Sequence, residues 1–134
     1  MKTDIRFVLY ENDNEIINTL LTKMQPFTLD KEIIEENGDA GTIITVVFTV
    51  LQTALAVPGF ILAMHEIISF LKSKELNKLN TKDVDNDEYI KKELSSDRWV
   101  IIINGQEYDL TSIVSEEERL KVLDRILQEH LKNG

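Results

Sequence analysis

Apolar and polar positions alternate at the head of the chain. Ile5, Phe7 and Leu9 interleave with Arg6, Val8 and Tyr10, the period-two pattern of a strand with one face on a core. The period lengthens after Glu11. Asn12 with Glu15 has capping-box spacing, and Ile16, Ile17, Leu20, Leu21 and Met24 recur on one helical face before Pro26 stops the helix. A second strand is expected over residues 27–34, with Lys31 on the face of Phe27, Leu29 and Ile33. Two strands joined through one helix are expected to lie parallel across a right-handed crossover.

Ala40 to Met64 is a run of 25 residues without a charge. As one helix it extends about 37 Å at 1.5 Å per residue, enough to cross a hydrocarbon core of about 30 Å. Thr42, Thr45, Thr49 and Gln52 fall at spacings that make a polar stripe along such a helix, which lipid does not reward. Pro58-Gly59 interrupts the run. Beyond it Ile61, Met64, Ile67, Ile68 and Leu71 keep helical spacing, with His65, Glu66, Ser69 and Lys72 on the other side. The expectation is two core helices, 41–57 and 59–74, introduced by a loop in which Asp39 caps the first. The alternative is a single membrane span.

Residues 75–97 are charged and poor in apolar side chains, and read as a mobile connector with a helical turn near 88–94. Asn104-Gly105 then separates the β-prone runs 98–103 and 106–110, a strong short hairpin signal because a type I′ turn needs positive φ at both central residues. Ser115 with Glu118 repeats the capping-box spacing, and Leu120, Leu123, Ile126, Leu127 and Leu131 mark one face of a closing helix. The pattern predicts an α+β domain over residues 1–134. It has two layers and a four-stranded mixed sheet, with a β-α-β start, a long apolar helical segment, a C-terminal hairpin and a closing helix.

Charge sharpens this picture. Residues 1–39 carry 4 basic and 9 acidic side chains, 40–71 only Glu66, and 72–134 carry 11 basic and 14 acidic, for a net charge of −9. That balance argues against nucleic acid and anionic lipid and suits basic protein partners. The charged start, with an apolar run of only 7–10 behind it, does not read as a signal peptide, and a chain without cysteine fits a cytoplasmic location. Catalytic motifs are missing. His65-Glu66 opens like a zinc-protease helix, but Ser69 stands where the second histidine belongs. Asp83-Val84-Asp85-Asn86-Asp87 opens like a calcium loop, but Glu88 replaces its glycine and Leu94 its bidentate acid. No glycine-rich phosphate loop and no nucleophile with a base at suitable spacing are present, so no catalytic, cofactor or metal residue is assigned.

The order of elements, with the long apolar segment ending in Ile67-Ile68-Ser69-Phe70-Leu71-Lys72 and the Trp99–Leu110 hairpin before the closing helix, resembles the effector-associated constant component family of bacteria. That resemblance implies a small non-catalytic adaptor of a conflict or stress-response system, acting beside a separate effector. The candidate interaction residues are Thr42, Thr45, Thr49 and Gln52. Two other readings are a single-span membrane protein using residues 40–64 and an acidic inhibitor or immunity protein for a basic toxin.

Overall fold

The computed structural model describes residues 1–38, 41–81, 99–110 and 115–133. The chain forms β1 (Lys2–Leu9), α1 (Asn14–Met24), a 3₁₀ turn (Gln25–Phe27), β2 (Thr28–Gly38), β3 (Gly41–Leu51), a second 3₁₀ turn (Gln52–Ala56), α2 (Pro58–Thr81), β4 (Trp99–Ile103), β5 (Gln106–Tyr108) and α3 (Glu116–Asn133). The five strands make one sheet in the order β2-β3-β1-β4-β5, every neighbouring pair antiparallel. The fold is α+β, as expected, but the sheet has five strands rather than four and no parallel neighbours.

The β-α-β start is present in a split form. β1 and β2 run in the same direction, yet β3 inserts between them and pairs with both. Through β4 the order is the β-α-β-β-α-β arrangement, to which β5 and α3 are added. The strand that splits the unit comes from the segment expected to be a helix. Residues 41–51 form β3, so neither the first of the two expected helices nor a helical span over residues 40–64 exists. Their composition explains this. Thr42, Ile43, Ile44, Thr45, Val46, Val47, Thr49 and Val50 are β-branched, which restricts χ1 in a helix and suits a pleated surface. Residues 36–38 of the expected loop belong to β2, and Gly38 pairs with Gly41, whose φ is +114°, while Asp39, the expected cap, lies outside the described residues.

Pro58 marks a helix start rather than a break between two helices. It occupies the first turn of α2, where a missing amide costs nothing, and Ile61 N–H closes the first turn on Val57 O at 3.1 Å. α2 continues through 75–81, the first part of the expected connector. The rest of that connector, with its expected helical turn and the 83–88 calcium-like sequence, lies outside the described residues. Asp13, not Asn12, caps α1, its carboxylate accepting from the amides of Glu15 and Ile16. The second hairpin forms as expected, with Asn104 at φ 49° and Gly105 at φ 84°. The closing helix follows Ser115, whose Oγ accepts from Glu118 N–H at 3.4 Å.

The core lies against one sheet face. Register aligns Ile44-Leu9-Trp99, Val46-Phe7-Ile101 and Phe48-Ile5-Ile103 across β3, β1 and β4. These rows share one cluster with Ile16, Leu20 and Met24 of α1, Phe60, Met64, Ile67, Ile68 and Leu71 of α2, and Leu123, Ile126 and Leu127 of α3. Phe7 meets Phe48 edge-on at 6.0 Å, and Phe27 meets Phe60 likewise at 5.6 Å. Ion pairs tie α1 to α2: Lys23 with Glu66, and Lys74 with Glu15 and Asp13.

Candidate interaction surface

Among the described residues two sheet surfaces lie outside the core: the second face of the sheet and its β2 edge. The second face is built in cross-strand rows. Asp30-Thr49-Asp4 forms one, Glu32-Val47-Arg6-Ile102-Glu107 a second and Ile34-Thr45-Val8-Val100 a third. None of these residues belongs to the core cluster. Val47 and Val100 are buried all the same, while Asp4, Arg6, Val8, Thr45, Thr49 and Ile102 are half-buried. The Arg6 guanidinium donates to Asp4 at 2.8 Å, so the one cation in these rows is already engaged.

The strand assignment separates the four candidate residues. Thr45 and Thr49 share the second face, four residues apart on β3, flanked respectively by Val8 with Ile34 and by Asp4 with Asp30. Thr42 lies on the opposite side of the strand, near the β2–β3 reversal, where its hydroxyl donates to Asn37 Oδ1 at 3.0 Å. Gln52 lies beyond the strand. Its side-chain amide donates to the carbonyls of His130 and Leu131 at 2.9 and 3.0 Å, satisfying acceptors that the last turn of α3 leaves without helical donors. Gln52 therefore links the end of β3 to the end of α3. The expected helical stripe of four does not exist, because strand geometry alternates faces every residue.

The β2 edge was not singled out by sequence. The strand is 11 residues long and, among the described residues, ends the sheet and pairs only with β3. β5, at the other end, has three residues. Lys31, Ile33 and Glu35 stand on the core-side face of β2, opposite Phe48, Val46 and Ile44. All three are exposed because the helical layer ends short of this strand, with Ile33 at 48%. Leu29, at the register shift between Thr28 and Asp30, is 52% exposed. Beside that shift lies an open cleft of about 230 Å³, lined by Leu21, Gln25, Phe48 and residues 28–31. Asp30, Glu32, Glu35 and Glu36 give the strand four carboxylates against Lys31. Lys31 at a core-side position was the visible sign that this strand lies past the edge of the core.

Both histidines serve contacts between elements. His65 Nε2 lies 2.6 Å from Asp124 Oδ1, joining α2 to α3. His130 Nε2 lies 2.8 Å from the Tyr108 hydroxyl, which is also 2.6 Å from Gln106 Oε1. Burial raises the Tyr108 pKa above its ordinary value, helped by the charge of Glu129. The hydrogen bond to Glu15 raises that of Lys74. Arg119, buried in α3, places its guanidinium 5.7 Å from the centre of the Trp99 ring. Among the described residues no three His, Asp or Glu side chains are grouped to hold a metal ion, and no helix is long and apolar enough to cross a membrane. The chain matches no protein-family model, no curated protein and no solved structure.

Proposed function

We propose that this chain is a non-catalytic interaction domain, an adaptor that couples to a separate effector protein of a bacterial conflict or stress-response system. The observation that carries the interaction reading is the β2 edge: a long strand with a row of backbone donors and acceptors not used by β3, and with exposed Leu29 and Ile33. The bacterial adaptor role comes from the resemblance to the effector-associated constant component family. The strand-helix-strand start, the Asn104-Gly105 hairpin and the closing helix support it. In this reading the chain supplies recognition and the effector supplies chemistry.

The acidic edge also favours a second reading, an inhibitor or immunity protein seated on a basic toxin. Co-expression with the products of neighbouring genes, followed by size-exclusion chromatography, separates the two. The adaptor reading expects co-elution with a protease-like or nucleotide-cleaving effector whose activity persists in the complex. The inhibitor reading expects co-elution with a basic toxin whose activity is lost. Co-elution with no neighbouring product would sink both.

A further inference from the structure

We infer that β2 accepts an extended basic segment of a partner protein as a sixth strand of the sheet, with lysine or arginine alternating with apolar side chains. This rests on the interaction reading above and names the partner's chemistry. In a strand, alternate residues point their N–H and C=O groups to opposite edges. β2 spends one set on β3 and offers the other along about 35 Å of backbone, taking about 3.3 Å per residue, apart from the Lys31 N–H, which donates to Asp30 Oδ1 at 2.9 Å and must be released to pair. Edges are protected from pairing by shortness, proline, bulges or charge, and β2 has only the last: its charges, four of five of them acidic, repel a like strand and attract a basic one. β2 is 11 residues long and free of proline, and its one register shift lies at its start, beside the cleft.

Charge selects the occupant. A second copy of this strand would bring four carboxylates against four, with one lysine on each side. A basic strand meets attraction in the same place, and the net charge of −9 steers it in. The two faces of β2 ask for different side chains. Asp30, Glu32 and Glu36 lie on the second face of the sheet, whereas the core side carries Ile33 between Lys31 and Glu35, and there the exposed Ile33 and the cleft near Leu29 suit apolar groups. An incoming strand with cationic and apolar residues in alternation sets its cations against the three second-face carboxylates and its apolar residues beside Ile33 and the cleft.

The full chain is titrated with a fluorescein-labelled peptide of alternating lysine and valine, and with the same peptide carrying a central proline. Fluorescence anisotropy reports affinity and amide hydrogen exchange reports location. The alternating peptide should bind on the order of tenfold more tightly than the proline peptide, because proline removes a ladder donor without changing charge. Exchange protection should appear within Thr28–Gly38. A triple variant, Glu32→Lys, Glu35→Lys and Glu36→Lys, replaces only exposed side chains and should weaken binding by a similar factor at low salt. Equal affinity for the two peptides, or protection confined to other strands, would overturn the inference. The triple variant also separates this claim from the broader one. If it still co-elutes with the effector that the unaltered chain captures, the β2 edge is not the docking site although the interaction reading stands. If no gene neighbour binds the unaltered chain, that reading fails and the peptide experiment alone decides what the edge can do.

Discussion

Asn104 holds the second hairpin in two ways. Its backbone adopts φ 49°, and its side-chain oxygen accepts from Asp4 N–H at 3.0 Å while its own amide donates to Asp4 O at 2.9 Å. Asn104→Gly keeps the turn and loses only the side-chain hydrogen bond, a cost of about 1 kcal/mol. Asn104→Ala adds the strain of a left-handed conformation and should cost about 2–3 kcal/mol in all, measured by urea denaturation. The turn itself was legible as Asn-Gly, but its bond to β1 was not, because nothing local marks a partner at position 4. Lys74 and Tyr108 make a pH prediction. Both have folded pKa values raised above their unfolded ones, so both bind their protons more tightly in the folded state. Their contribution is complete below the unfolded values and is lost as pH rises from about 10 through the folded ones. Equilibrium unfolding should show stability declining above about pH 10, and the double variant Lys74→Met, Tyr108→Phe should show a shallower decline.

β3 is the element on which the architecture turns, and Phe48 tests it. In the strand, Phe48 is fully buried and faces the core with Phe7, while Ile33 stands half exposed on the neighbouring edge. Phe48→Ala should cost about 3–5 kcal/mol, whereas Ile33→Ala should change stability by no more than about 1 kcal/mol, both read from denaturant midpoints. The helices α1, α2 and α3 were each legible because their outer faces are wet and their periodicity is therefore written in polar residues. β3 was not, for the opposite reason. It is paired on both sides, with Val47 buried on the second face and only threonines there to mark the alternation, so its hydropathy matches that of a buried helix. The spacing of Thr42, Thr45 and Thr49 imitated a helical stripe by coincidence, and the density of β-branched residues was the stronger signal. The helical stripe is replaced by a strand on which Thr45 and Thr49 alone share a face, and the β2 edge stayed hidden because a strand's place at the end of a sheet depends on which other strands it pairs with.

Across the whole molecule, a net charge of −9 acts against compactness. Raising salt from about 0.01 M to 0.2 M shortens the Debye length from about 30 Å to under 10 Å. The thermal midpoint should rise over that range, since repulsion among many exposed carboxylates outweighs the few ion pairs between helices. Differential scanning calorimetry checks the sign, and a falling midpoint would show that the ion pairs dominate. The position of β1 at the centre of the sheet has a further effect, in time rather than in energy. Its first residues pair with β3 some fifty positions later, and Asp4 meets Asn104 100 positions away. During synthesis the opening strand must therefore wait, with one flank and then the other unfilled, until almost the entire remaining sheet has been made. Such distant pairings slow folding, because loop closure must precede the contacts that reward it. A nascent chain halted before β4 would hold an unfinished sheet with β1 as an open edge, and that interval is when a chaperone has the most to bind.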